Sequence, residues 1–226
     1  MRSATIAIFA CSLVGAAVGF ADEPKYTVKV KKAEPPKELK DGFSSLLSDQ
    51  AIQVLDEKGA ALATFWLRKA IPSKAAPEQV KNGLTYREIP QSTVVGVVQF
   101  AQPWTDYRKQ KIAAGIYTLR LGFQPMDGDH QGTAPYNEFC LLSPAGKDEK
   151  PDTMDVKAMY ELSSNASGGT HPAVMLLFPN PKPEDEPKLA AKSNNTVVLN
   201  VKAKVDANGT PAALGFGFTV AGVTQQ

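Results

Sequence analysis

Alternation of apolar and polar side chains is the feature that most constrains the fold of this chain. It is clearest from Val197 to Val205, where every second residue is apolar and the residues between include Lys202 and Lys204. Asp206-Ala207-Asn208-Gly209 has the composition of a turn, and alternation resumes from Leu214 to Val220. Because successive side chains of a strand point to opposite faces, these segments predict a hairpin with one face in a core.

Further segments have the composition of strands. Thr93–Phe100 is a β-branched run that is apolar on both faces, which is typical of a central strand. Asp56-Glu57-Lys58-Gly59 separates two such segments and predicts a hairpin turn. The sequence therefore predicts an all-β fold, an antiparallel β-sandwich of about eight or nine strands. The remaining predicted strands are residues 26–30, 51–55, 60–69, 117–123, 138–142 and 173–178.

One or two short helices are expected in the connections. Pro77–Asn82 is followed by Gly83, a residue suited to a left-handed helix cap. Asp152–Ser163 begins with two residues, Asp152 and Thr153, that can cap a helix. Helical spacing then places Met154, Ala158 and Leu162 on one face, which predicts that this face is buried.

The amino terminus has the layout of a secretory signal peptide. Arg2 gives a cationic start, Ala4–Phe20 is uncharged and mostly apolar, and Gly19-Phe20-Ala21 offers small residues to a signal peptidase. We expect residues 1–21 to be removed and residues 22–226 to form a single β-sandwich domain. The mature protein is then secreted or periplasmic, and no transmembrane segment is expected in it.

Charge and cysteine content narrow the choice of partners. The formal net charge is only +2, so no basic face is implied and nucleic acid is not expected as a partner.

Cys11 leaves with the leader, which leaves Cys140 without a disulfide partner. We interpret Cys140 as a small core residue. The alternatives are a thiol–imidazole pair with His171, and a copper site that would add His130 and Met175.

Two histidine-containing loops are candidates for a divalent metal ion. Asp127, Asp129 and His130 lie in one glycine-containing loop, and His171 lies in another. Asp127, Asp129 and His130 supply two carboxylates and an imidazole, ligand types that bind such a metal, and Glu138 or His171 would complete the shell. The alternative is structural, since Asp-Gly-Asp is also an ordinary turn sequence. We further expect both loops to lie at one end of the sandwich and to form its ligand surface.

Aromatic and cationic residues cluster in residues 104–111. Trp104 and Tyr107, if exposed together, would stack on a sugar ring, so they are candidate ligand-binding residues. The alternative is that the aromatic rings cap the core while the cations remain solvated.

One stretch resembles known exported proteins. Residues 113–119, Ala-Ala-Gly-Ile-Tyr-Thr-Leu, resemble an AGxYTL motif that opens strands in exported bacterial β-sandwich modules. Together with residues 120–130, 136–144 and 171–179, they resemble uncharacterised secreted proteins of planctomycete-type bacteria. The resemblance implies a secreted β-sandwich and carries no established activity.

These observations support two hypotheses of function. The first is a secreted or periplasmic, non-catalytic binding or structural module, with a carbohydrate or an envelope protein as candidate partner. The second is a metal-dependent enzyme or metal-binding protein centred on the Asp127/Asp129/His130 and His171 loops. No residue is predicted to be catalytic, because no nucleophile motif is present.

Overall fold

Strands form most of the structure, as the alternating sequence predicts. The computed structural model describes residues 25–125, 127–128, 130, 132–193 and 195–222. The predicted leader, residues 1–21, lies outside the described residues. Within them the all-β class is confirmed, because thirteen strands are connected by loops and only three α-helices.

Nine strands cover the predicted segments, and the four that the sequence did not predict are short. The nine are β1 (Tyr26–Lys32), β2 (Leu47–Asp56), β3 (Ala61–Arg68), β5 (Val94–Phe100), β8 (Gly115–Phe123), β9 (Glu138–Pro144), β10 (Ala173–Pro179), β12 (Val197–Ala207) and β13 (Thr210–Ala221). The four are β4 (Ile71–Ser73), β6 (Trp104–Thr105), β7 (Lys111–Ile112) and β11 (Lys188–Ala191). The helices are α1 (Phe43–Leu46), α2 (Pro77–Asn82) and α3 (Val156–Ser167).

Eleven strands are hydrogen-bonded into one sheet, where the sequence predicted the two facing sheets of a sandwich. The order is β1-β2-β3-β5-β8-β9-β10-β13-β12-β11, and β4 pairs with β12 in parallel. The other neighbours are antiparallel, and β6 and β7 form a separate ribbon. Alternation reports which face of a strand is buried and says nothing about which strands are neighbours. The same pattern is therefore compatible with one continuous sheet.

The main sheet curls around the larger of two buried hydrophobic clusters. Phe65 of β3 and Phe218 of β13 have ring centroids 5.4 Å apart, although four strands separate β3 from β13 in the sheet. Both rings belong to one buried cluster, and the edge strand β1 approaches the opposite edge strand β11. The two halves of the sheet thus face each other across one core.

Helix α3 covers the outer face of the sheet. It packs on β9 and β10, with Met159, Ser163 and Ala166 buried against them. The Ser163 hydroxyl donates to the carbonyl oxygen of Leu142 at 2.8 Å and accepts from the Ala173 N–H at 3.1 Å. These bonds fix the helix across the seam between β9 and β10.

The predicted start and buried face of α3 were wrong, whereas α2 is confirmed. Asp155 caps α3, in place of Asp152 or Thr153, by accepting from the Lys157 and Ala158 backbone N–H groups. Ala158, which the sequence placed on the buried face, is exposed. The helix starts later than predicted because the residues before it bond other parts of the chain. Ser92 Oγ bonds both the N–H and the carbonyl of Met154, and Arg120 bonds the Asp152 carbonyl. Backbone groups used in this way are not available to a helix that starts earlier.

Candidate functional site

A cavity of about 650 Å³ lies on the outer face of the sheet, beside α3. β9 and β10 form its floor. Its walls are α3, the described lining residues 124, 125, 130, 133 and 134, the turn of residues 106–110 between β6 and β7, and residues 170–172. A volume of this size is within the range of small-molecule sites, which is about 300–1,000 Å³.

The floor of the cavity is apolar because of the alternation of β9 and β10. Phe139 and Leu141 of β9 line the cavity, whereas Cys140 between them belongs to the core. Val174 and Leu176 of β10 continue the same floor, since β9 and β10 are antiparallel neighbours. The strand periodicity thus supplies apolar side chains to the core and to the cavity at once.

One face of α3 supplies a polar wall. Lys157, Tyr160, Glu161 and Ser164 line the cavity at a spacing that repeats along one helix face. Lys157 and Glu161 form an ion pair of 3.9 Å. Burial raises the pKa of the Tyr160 phenol, and the nearby Asp127 carboxylate adds to the rise. The phenol therefore remains a neutral hydrogen-bonding group near neutral pH.

A buried carboxylate fixes the turn that forms another wall. Asp106 accepts from the Gln110 backbone N–H and side-chain amide, each at 2.8 Å, and from the Val174 N–H at 3.0 Å. The Gln110 amide also donates to the Pro172 carbonyl at 2.9 Å. Burial raises the pKa of the Asp106 carboxyl, while the hydrogen bonds that it accepts act in the opposite direction. Asp106 thereby joins residues 107–109 to β10 and to the His171 loop.

Replacing Asp106 with alanine is expected to lower the free energy of unfolding by about 2 kcal/mol or more, because buried donors lose their acceptor. Chemical denaturation monitored by tryptophan fluorescence measures the change. Thr105→Ala is the matched control: it removes an exposed side chain from the adjacent position and should change stability by less than about 0.5 kcal/mol. Equal stability of the two variants would show that the three donors have other acceptors in solution.

The two histidines line the same cavity, so their loops converge, although on the outer face of the sheet and not at the end of a sandwich. His130 Nδ1 contacts Asp127 Oδ1, and its backbone N–H donates to the same oxygen at 3.2 Å. His171 is exposed, and its carbonyl accepts from Ser167 Oγ at 2.7 Å. His130 thus lies in one wall with Gln124 and Thr133, and His171 lies in the wall formed by residues 170–172.

The predicted metal ligands do not assemble in the part of the chain that the structure describes. No group of three or more His, Cys, Asp or Glu side chains placed to hold a metal ion is found among those residues. Asp127 is engaged with His130. Asp129, the fourth predicted ligand, lies outside the described residues. The described geometry fits the structural turn that the sequence offered as the alternative.

The two aromatic residues proposed to bind a ligand are separated. Trp104 is buried, stacks on Phe100 at 4.9 Å and donates from its indole nitrogen to the Val220 carbonyl. Its ring has no exposed face for a sugar, so its assignment as a ligand-binding residue is corrected to a core role. Tyr107 does line the cavity, and its hydroxyl donates to the Thr133 carbonyl at 3.2 Å.

Cys140 is a core residue, as the sequence indicated. It is fully buried opposite Met175, and burial raises the pKa of its thiol well above its usual range. The histidines line the cavity on the opposite face of the sheet. The backbone of β9 and β10 therefore lies between the sulfur atoms and the imidazoles, which rules out both the thiol–imidazole pair and the copper site.

Sequence reasoning missed the α3 wall and the apolar floor. The helix was predicted from its apolar residues, so the face that carries Lys157 and Tyr160 was not recognised as a wall of the cavity. The floor residues Leu141 and Leu176 resemble any other strand residue in the sequence. The signal in the sequence was the spacing of residues 157, 160, 161 and 164, which places polar side chains on one helix face.

Comparison with protein-family models, curated proteins and solved structures found no match to this chain. None of the helices in the described part of the chain has the length and apolar character that crossing a bilayer requires.

Proposed function

We propose that this protein is an exported, non-catalytic binding module whose small-molecule ligand occupies the cavity beside α3. The observation that carries the proposal is the combination of an apolar floor with polar walls in a cavity of about 650 Å³. Ligand sites typically have this composition, with a few polar groups that orient the ligand. The convergence of both histidine loops on this cavity supports the same assignment.

The arrangement favours binding over catalysis. Among the described residues, neither imidazole ring hydrogen-bonds a hydroxyl or thiol that could serve as a nucleophile. The hydrogen bond that the His130 ring makes within the described part of the chain is to the Asp127 carboxylate, an arrangement that stiffens a turn. Stoichiometric divalent metal in the purified protein would favour the alternative, a metal-dependent enzyme centred on the same loops.

Export is the second part of the proposal. It is supported by the charge and apolar run of residues 1–21, and by the resemblance of residues 113–119 to exported bacterial β-sandwich modules. Amino-terminal sequencing of the protein from its native envelope or medium should begin at or near Asp22. Intact Met1 on cytoplasmic protein would contradict export and leave the proposed binding function unaffected.

Filling the cavity should abolish binding. The probe is N-phenyl-1-naphthylamine, a neutral apolar fluorophore that emits strongly in apolar surroundings. We expect one site per chain, and a loss of affinity of about tenfold or more in Ser164→Trp, because the indole would occupy the cavity. Thr170→Trp, at an exposed position of another wall, provides a second test should Ser164→Trp not fold.

The matched control is Ala158→Trp, which adds the same side chain to an exposed position of α3 outside the cavity. It should retain the affinity of the wild type, and circular dichroism and thermal unfolding should show that all variants are folded. No binding by the wild type, or equal binding by folded cavity and control variants, would overturn the proposal.

A further inference from the structure

The charges around the cavity are unequal in sign. Among the described residues, Arg108, Lys109 and Lys157 line it, against one carboxylate, that of Glu161. The whole chain has a formal net charge of only +2, so this concentration of cations is a local property. The low-dielectric apolar floor beside these cations concentrates their electric field in the cavity.

The two described carboxylates near the cavity each have a partner. Glu161 forms an ion pair with Lys157 at 3.9 Å, and Asp127 contacts the imidazole of His130. By contrast, Arg108 and Lys109 form no ion pair with any of the residues that the structure describes. The positive charge that remains at the cavity is therefore concentrated on the turn between β6 and β7.

The backbone that carries these two cations is fixed. The Lys109 N–H donates to the Asp106 carbonyl at 3.0 Å, and the Tyr107 N–H donates to the Val174 carbonyl at 3.1 Å. Lys109 has φ +64°, a left-handed conformation that costs a non-glycine residue about 1 kcal/mol. The surrounding structure must hold Lys109 in this unfavourable conformation, so the turn has a defined shape. The turn thus presents Arg108 and Lys109 at the edge of the apolar floor.

From this pairing of an apolar floor with unpaired cations, we propose that the ligand is a small organic anion with an apolar body. The body would lie on Phe139, Leu141, Val174 and Leu176, and its carboxylate, sulfonate or phosphate group would face Arg108 and Lys109. This inference rests on the proposed function, because it names the class of ligand for the same cavity.

Two fluorescent probes that share one apolar frame test the inference. One is 1-anilinonaphthalene-8-sulfonate, and the other is its neutral counterpart N-phenyl-1-naphthylamine. The variant Arg108→Gln/Lys109→Asn removes both unpaired cations, and asparagine tolerates the left-handed conformation of position 109. We expect its affinity for the sulfonate to fall by about tenfold, while its affinity for the neutral probe changes by less than about twofold.

The control variant Lys29→Gln/Lys31→Gln removes the same charge from exposed positions of β1, away from the cavity. It should bind both probes as the wild type does. Added sodium chloride should weaken sulfonate binding to the wild type and have little effect on the neutral probe, because salt screens exposed charges. Ser164→Trp or Thr170→Trp should abolish sulfonate binding, which locates it in the cavity.

The outcomes separate the two proposals. If the neutral probe binds in the cavity but the Arg108→Gln/Lys109→Asn variant keeps its sulfonate affinity, the anion inference is overturned and the binding function stands. Sulfonate binding that persists in both folded tryptophan variants is binding outside the cavity and also overturns the inference. If the wild type does not bind the neutral probe, or binds it outside the cavity, the proposed function itself fails.

Discussion

Replacing Asp148 with alanine should lower the free energy of unfolding by about 3–5 kcal/mol, because the Arg120 guanidinium would remain buried without a counter-charge. Both side chains of this pair are fully buried. Arg120 donates from Nη2 to Asp148 Oδ1 at 2.7 Å and from Nε to Asp148 Oδ2 at 2.9 Å. This two-point geometry makes the pair a strong, directional contact.

The pair also organises the chain that leads into α3. The remaining Arg120 donors bond the carbonyl oxygens of Ser92, Lys150 and Asp152, at 2.5–2.9 Å. Asp148 also accepts from the Thr118 hydroxyl. Loss of Asp148 should therefore loosen residues 148–155 and the helix that follows, so probe binding in the cavity should weaken in the same variant.

Urea unfolding followed by tryptophan fluorescence measures the change. Glu149→Ala is the matched control, because it removes the neighbouring carboxylate, which forms only an exposed ion pair with Lys40. Exposed pairs contribute about 1 kcal/mol or less, so this variant should be close to wild type. Similar stability of the two alanine variants would contradict the burial of the Arg120 guanidinium and its pairing with Asp148.

The strands were predictable because each shows a characteristic apolar pattern within its own residues. The alternation in β12 and β13 and the doubly apolar run of β5 each predicted a strand without reference to the rest of the chain. The single sheet was not predictable, since it depends on β10 pairing with β13 over a long separation in sequence. β4, β6 and β7 were missed because two or three residues are too few to show alternation.

The site was predictable only where rare residue types marked it. His130 and His171 are the only histidines of the chain, and both line the cavity. Trp104 was misassigned because an aromatic residue beside cations looks the same in sequence whether it is exposed or stacked on Phe100. The start of α3 was missed because it depends on Arg120, which bonds the Asp152 carbonyl and the Asp148 carboxylate from 28 or more residues away along the chain.

The contact between Phe65 and Phe218 gives the most direct test of the curled sheet. Phe218→Ala should lower the free energy of unfolding by about 3–5 kcal/mol, because it leaves a cavity in the core and removes a large apolar surface. Phe218 is fully buried and also stacks on Phe216, with ring centroids 5.4 Å apart. Val30→Ala, at an apolar position that is 49% exposed, is the control and should have little effect.

A double-mutant cycle with Phe65→Ala and Phe218→Ala isolates the contact itself. β3 and β13 are not neighbours in the sheet, so their side chains meet only if the sheet curls around a common core. We expect a coupling free energy of about 0.5–1.5 kcal/mol, the range of aromatic pairs in contact. Additivity within about 0.3–0.5 kcal/mol is the behaviour of sites that do not touch, and it would mean that the two halves of the sheet do not face each other.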